Sequence, residues 1–282
     1  MNRFAIFILS HGRADTISTY DALRKSGYTG DMYVVIDNED DQEGLYREKF
    51  GSEIIQFDKR DYVAITDVAD LDEGRKIGVF ARNFIQDKAK EMGYQFHLQL
   101  DDDIHGFGYR YIDDKGKLRT RPIHGMDRVL EAMCDYMASA PITSLSFGLQ
   151  IYYVGGVESG SWQQQMIPKT MTTFLMRADD VRYFNMRMND DITTSALNVS
   201  RGSLYYTYMP VMVEIDGTQE QKGGMTEIYQ DSGTYRKSFY SVMALPSCAK
   251  VSQMGITDMR VHHEIHWGNC APKLLDERFR RV

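Results

Sequence analysis

Two short, unbroken apolar runs constrain the fold of this chain most, Phe4–Leu9 and Met32–Ile36. Both lack polar alternation, the pattern of a parallel strand buried on both faces, and a further strand reads at Phe96–Leu100. Helical spacing fills the gaps between them. Asp15 is placed to cap a helix over 16–25 that Gly27 closes, and a second helix reads over 42–50, followed by a short strand at 53–57. Asp72 is placed to cap a helix over 73–92, with Ile77, Phe80, Phe84 and Ile85 on one face and Gly93 as its stop. Strand alternating with helix predicts a Rossmann-like α/β fold, an open and mostly parallel sheet with helices on both faces. Ligands of such sheets bind beyond the carboxyl ends of the strands. Those ends are the loops at 10–15, 37–41 and 101–103.

The second half is more mixed. Strands at 109–112 and 118–122 read as a hairpin around Asp113-Asp-Lys-Gly116. A helix over 126–138 follows, with Val129, Leu130, Met133 and Tyr136 on one face. Further strands read at 143–147, 170–176 and 203–213. Residues 216–224 read as a polar loop, 226–232 as a helix and 274–281 as a short charged helix. With no repeat, low-complexity tract or linker, the 282 residues read as one domain with two functional halves, 1–103 and 104–282.

Composition excludes several classes. Apolar residues make up 43% and charged residues 26%, which argues for a packed globule and against global disorder. The net charge of −7 excludes tail-driven binding to nucleic acid, so any such contact needs a local basic patch. No apolar run approaches the roughly 20 residues of a membrane span, and Phe4–Leu9 runs straight into Ser10-His-Gly-Arg13, unlike a signal peptide. Cys134, Cys248 and Cys270 are scattered and form no CxxC pair, so a reducing cytoplasm is the expected setting.

The chemistry concentrates in acids. Asp101-Asp-Asp103 closes a buried strand, where three carboxylates repel one another unless a cation neutralises them. Oxygen ligands suit magnesium or manganese; the alternative is a solvated acidic turn. Arg82 and Asn83, on the preceding helix, and Arg13, after the first strand, are placed to reach a diphosphate or sugar hydroxyl. Asp37 is placed to accept from a base or ribose, unless it is a plain loop acid. Asp190 and Asp191 offer a general base or a holder of an acceptor hydroxyl, and equally fit a helix N-cap. His262, His263 and His266 crowd near the C-terminus without an HExxH pattern; any one of them could complete a metal shell, or cap and solvate. As a helix His262 and His266 share a face; as a strand His262 and Glu264 do.

Together these features resemble metal-dependent glycosyltransferases of the A-type fold. Phe7-Ile-Leu-Ser-His-Gly-Arg13, Ala81-Arg-Asn-Phe84, Leu100-Asp-Asp-Asp-Ile104, Arg260-Val-His-His-Glu-Ile-His-Trp267 and Pro272-Lys-Leu-Leu275 resemble, more specifically, the TET-associated glycosyltransferases of phages, over nearly the whole chain. Asp103 stands where many relatives are expected to carry Asn. The resemblance implies a UDP-sugar donor, Mn2+ or Mg2+, and an acceptor of hydroxymethylated pyrimidine, 5-hydroxymethylcytosine in particular, in DNA. It implies donor contacts from Ser10, His11, Arg13, Asp37, Arg82, Asn83, Asp101 and Asp102; metal ligation by Asp101, Asp103 and His263; and chemistry at Asp191 beside Asp190. Asp191 is a base if the reaction inverts configuration and orients the substrate if it retains. A DNA acceptor needs cations, which Arg110, Lys115, Lys117, Arg119 and Arg121 supply on the hairpin and Arg278, Arg280 and Arg281 at the C-terminus, with nearby tyrosines to stack on bases. The competing expectations are a protein or polysaccharide acceptor, a non-catalytic nucleotide-binding module, and phosphoryl transfer, which the absence of a P-loop disfavours.

Overall fold

The structure is a computed structural model that describes residues 3–66, 78–215, 235–254 and 259–271. The expectations for Asp72 and residues 73–77, for 216–224, 226–232 and 274–281, and for Arg278, Arg280 and Arg281 lie outside the described residues.

The chain begins β1 (Phe4–Leu9), α1 (Ser18–Lys25), β2 (Met32–Asp37), α2 (Glu43–Phe50), β3 (Ile54–Phe57), α3 (Val79–Glu91) and β4 (Phe96–Asp101). The hairpin β5 (Ile104–Ile112) and β6 (Leu118–Pro122) follows, then α4 (Met126–Ser139) and β7 (Ile142–Leu149). Next come α5 (Gly160–Gln164), β8 (Met166–Ile167), β9 (Thr173–Arg177), α6 (Asp190–Ser200) and β10 (Leu204–Ile215). The described residues close with α7 (Tyr235–Ala244), the pair β11 (Ala249–Met254) and β12 (Arg260–Ile265), and a last turn, α8 (Trp267–Cys270).

One sheet runs in the order β3-β2-β1-β4-β9-β7-β10-β5-β6. The four strands from the first half are parallel, as the alternation of strand and helix predicts. The second half is mixed: β9 lies antiparallel between β4 and β7, and β10 pairs parallel with β7 but antiparallel with β5. Side-chain alternation splits the core. Ile6 and Ile8 face α1, α2 and α4 on one side, while Ala5 and Phe7 face α3 on the other. The expected α/β architecture, with helices on both faces and a mixed second half, is the one observed.

Several local expectations are corrected. The α1 helix starts at Ser18, and its N-cap residue, Ile17, makes no side-chain cap, so Asp15 is not the cap. The carbonyl of Asp102 instead accepts from the Ser18 and Thr19 amides, satisfying the first orphan donors of the helix from far along the chain. On α4, Tyr136 is exposed and Met137 takes its place in the core. The histidine-rich segment is a strand, so His262 and Glu264 share a face.

Candidate active site

The site is built where β1, β2 and β4 end. Ser10–Ala14 follow β1 and are tied to the second strand's loop: the Gly12 amide donates to Asp40 (2.9 Å), the Arg13 amide to the Tyr46 hydroxyl (2.9 Å) and the Ala14 amide to Gln42 (2.9 Å). Gly12 has φ +66°, which spares this loop the cost of a left-handed side chain. The turn after β4 is equally fixed. Thr19 Oγ1 donates to the Asp101 carbonyl (2.6 Å) and accepts from the Ile104 amide (2.9 Å). Two rigid loops thus meet at one sheet edge, which is where positional precision for a ligand comes from.

Within this frame most polar side chains are matched in charge. Asp102 is buried; one oxygen accepts from Arg13 (2.8 Å) and the other from Ser10 Oγ (2.6 Å). Asp102 therefore clamps the β1 loop, and its two oxygens are committed to that. Asp37 takes His11 Nδ1 at 2.7 Å and the fully buried Lys59 ammonium at 3.0 Å. Burial raises its pKa, but hydrogen bonds from His11, Lys59 and the Glu39 amide outweigh this and leave it below the usual value.

Asp101 is different. Arg82, projecting from α3 with only 5% exposed, donates through Nη2 to Asp101 (2.7 Å) and through Nε to Asp190 (3.0 Å). Its guanidinium lies 4.8 Å from the Phe174 ring centroid and 5.8 Å from that of Phe184. One cation thus serves two carboxylates. Burial pushes Asp101 up to about 7, with Asp103, Asp190 and Asp102 adding to the rise and Arg82 opposing it. Asp190 shifts upward too, from burial first and Asp191 next. Arg82 Nη1 is buried with no hydrogen-bond partner among the described residues. Asp101 still exposes 31% of its side chain, so the cluster opens to a ligand.

Asn83, expected beside the donor, is fully buried; it donates to the Phe184 carbonyl (2.9 Å) and accepts from the Phe184 amide (2.7 Å). It holds the loop that covers α3, because a buried amide needs partners of its own. Asp190 and Asp191 form the first turn of α6, while the cap residue is Asn189 in a left-handed conformation. Neither acid is the N-cap; both sit where the helix dipole favours negative charge.

The expected metal shell is not gathered: among the described residues no three His, Cys, Asp or Glu side chains stand close enough to hold an ion. Asp101 and Asp103 act on each other, while His263 has Nδ1 3.3 Å from Asn189 Nδ2, the residue before Asp190, and His262, Lys237 and Lys169 as its charged neighbours. The donor set still fits a hard divalent cation, since it offers carboxylate oxygens in a spot short of positive charge.

On the hairpin, Lys115, Lys117, Arg119 and Arg121 are exposed. Arg119 pairs with Asp113 (2.8 Å), and Arg121 lies over Tyr109 and Tyr111 at 5.4 and 5.9 Å. Arg110 departs from the expected role: it lies on the opposite face, 4.4 Å from the Tyr153 ring centroid and partly desolvated.

Sequence reasoning missed Lys59, Tyr46, Thr19 and Lys169. Lys59 stands two residues beyond β3, so the strand-end rule that found Asp37 would have found it. Lys169 has no sequence signal; it enters through the packing of the segment before β9.

No helix among the described residues is long and apolar enough to cross a membrane. No curated protein matches the chain. Among solved structures, the chain is similar to glucosyl-3-phosphoglycerate synthase from Mycobacterium tuberculosis in complex with Mn2+, UDP and phosphoglyceric acid, at 8% identity and TM-score 0.49, covering 93% of this chain and 86% of that one. It is also similar to S. aureus TarS in complex with UDP, at 10% identity and TM-score 0.46, covering 86% of this chain and 65% of that one. The family model of TET-associated glycosyltransferases matches residues 4–224, a span that holds Arg13, Arg82, Asp101–Asp103 and Asp190–Asp191. The chain belongs to the TET-associated glycosyltransferase family.

Proposed function

We propose that this glycosyltransferase moves a sugar from a UDP-sugar, with Mn2+ or Mg2+, to a hydroxymethylated pyrimidine of DNA, 5-hydroxymethylcytosine foremost. The observation that carries the donor half is the charge deficit at the β4 end, where Asp101 and Asp190 share the single guanidinium of Arg82 and Arg82 Nη1 has no partner. Asp101 and Asp103 would hold the cation. When bound it supplies positive charge to the diphosphate as the glycosidic bond breaks. Arg82 keeps Asp101 and Asp190 aligned. Asp37, fixed by Lys59 and His11, and Arg13, fixed by Asp102, shape the wall for the nucleoside. Asp191, on the first turn of α6, receives the acceptor hydroxymethyl group, as base in an inverting reaction or as orienting group in a retaining one.

The acceptor half is supported by the hairpin. Tyr109, Tyr111, Arg119 and Arg121 share one face of β5–β6 by register, with Lys115 and Lys117 at its turn. Cations interleaved with aromatic rings on an exposed ribbon suit a nucleic-acid strand. That a protein with net charge −7 concentrates cations here favours DNA over a neutral polysaccharide.

Mass spectrometry of nucleosides tests the reading, after incubation of hydroxymethylated DNA with a panel of UDP-sugars and Mn2+. A single added sugar on the hydroxymethylated nucleoside, lost with chelator, is the expected result. Donor hydrolysis without any nucleoside product would overturn the acceptor and keep the donor. The double substitution Lys115→Glu with Lys117→Glu is expected to flatten the salt dependence of DNA binding by about two phosphate contacts and to spare UDP-sugar hydrolysis.

A further inference from the structure

Asp37, Asp40, Lys59 and His11 meet beyond the carboxyl ends of β1 and β2, and three of the four are sealed. Asp37, Asp40 and Lys59 expose 7%, 0% and 2% of their side chains, whereas His11 exposes 32%. Both oxygens of Asp37 are spent inside the cluster. Oδ1 accepts from the Lys59 ammonium (3.0 Å) and the Glu39 amide (2.9 Å), and Oδ2 accepts from His11 Nδ1 (2.7 Å). Asp37 thus presents little of itself to a ligand, and the His11 ring that it holds presents more.

The loop that carries this ring is fixed on both sides of it. The Ser10 amide donates to the Val35 carbonyl (3.0 Å) and the Gly12 amide to Asp40 (2.9 Å). Despite its burial, Asp37 titrates below its usual value, so at neutral pH it is a carboxylate and can only accept. The proton of the His11–Asp37 bond therefore sits on Nδ1. In the neutral ring Nε2 is then a bare lone pair, and no group among the described residues donates to it. A carboxylate bound at Nδ1 makes the other nitrogen more basic, as it does for histidines that bind metal. The result is one strong acceptor, fixed in direction, at the sheet edge where ligands of such folds lie.

A fixed acceptor selects for a donor in whatever lies over it. The nucleoside of a UDP-sugar offers two kinds, the imide N3–H of uracil and the ribose hydroxyls. A hydroxyl can rotate and either donate or accept, so a lone pair discriminates little by it. The imide cannot: its N–H points one way, and cytosine carries a lone pair at the same ring position. We propose that His11 Nε2 accepts a hydrogen bond from the uracil imide N–H, and that His11 is the residue that selects uracil over cytosine in the donor. Cytosine there would set two acceptors against each other, which leaves both unpaired and costs more than a missing contact. Asp37 and Lys59 are positioning residues in this arrangement: they hold the tautomer and direction of His11 and act on the base through it. The inference rests on a UDP-sugar being the donor and says nothing of the acceptor.

The test is calorimetry on the full chain with Mn2+ and four nucleotides: UDP, N3-methyl-UDP, CDP and 2′-deoxy-UDP. The variant is His11→Asn, whose amide N–H takes the place of Nδ1 and keeps the bond to Asp37 while nothing takes the place of Nε2. The wild type is expected to bind UDP at least about tenfold more tightly than N3-methyl-UDP or CDP, the worth of one hydrogen bond. In His11→Asn, UDP affinity should fall by about the same factor and both preferences should close towards parity, with the preference for UDP over 2′-deoxy-UDP unchanged. The wild-type comparison needs no substitution, so it decides the matter even where the variant fails to fold. A wild type that binds UDP and CDP alike would overturn the proposal and leave the UDP-sugar donor standing, as would a folded His11→Asn protein with the preference for UDP intact. A preference over 2′-deoxy-UDP that collapses instead would move the lone pair to the ribose and overturn the base assignment. A wild type that binds no uridine nucleotide would overturn the donor reading and the proposal together.

Discussion

Asp37 and Asp101 are the last residues of β2 and β4, the strands that flank β1, and they carry opposite shifts. Burial pushes both upward. Asp37 overcomes it with His11, Lys59 and the Glu39 amide, while Asp101 has half of Arg82 and three carboxylate neighbours and rises to about 7. Residue type and sheet position are the same, so the difference lies in how many positive groups the fold brings to each. The matched acid is architecture and the mismatched one is the proposed address for a cation.

The hardest blow to that contrast is Arg82→Met. It leaves two acids without their cation, and the expected loss is about 3–5 kcal/mol in urea unfolding under chelator. Mn2+ should then recover more stability than in the wild type, because it replaces the missing charge. A loss under about 1 kcal/mol would mean that Asp101 and Asp190 are neutral and that the deficit is not real. Asp101→Asn removes the proposed ligand without burying anything new. Sugar transfer should fall at least about 100-fold, with metal-free UDP binding unchanged. Retained transfer would move the cation away from Asp101.

Asn83→Ala sharpens the line between holding the fold and holding the ligand. It should cost about 2 kcal/mol of stability through the two unpaired Phe184 groups, with KM for the donor unchanged. A raised KM with normal stability would return Asn83 to the donor site. The smallest effect is in pH. An acid whose folded pKa is raised stabilises the fold in its protonated form, and that contribution is lost as pH climbs from about 4 to about 7. In chelator, Asp101→Asn should therefore melt furthest above the wild type at pH 8 and closest to it at pH 5. The reverse order would mean that Arg82 already satisfies Asp101.

What could be read in advance was local. The apolar runs of β1 and β2, the strand β4 and the Asp113–Gly116 turn carry their conformation in adjacent residues, and they stand where expected. Asp101 and Arg82 were each legible as site residues, but their pairing was not: Arg82 reads as a diphosphate or sugar contact, and the fold turns it onto Asp101 and Asp190. The α1 cap was not, because the acceptor is the Asp102 carbonyl, 84 residues from Ser18. Arg110 and Arg121 look alike on paper. One stacks on Tyr153 and the other stays on the exposed face, since alternate residues of a strand point to opposite sides.

By itself the sequence determined the parallel half of the sheet, the acid turn at its edge and the need for a counter-charge there, because strand burial and carboxylate repulsion act between near neighbours. Only the tertiary structure decided which cation each acid receives, that β9 runs antiparallel between β4 and β7, and that His263 meets Asn189 at the start of α6. Those outcomes depend on which distant segments share one small volume, and no short-range rule in the chain encodes that.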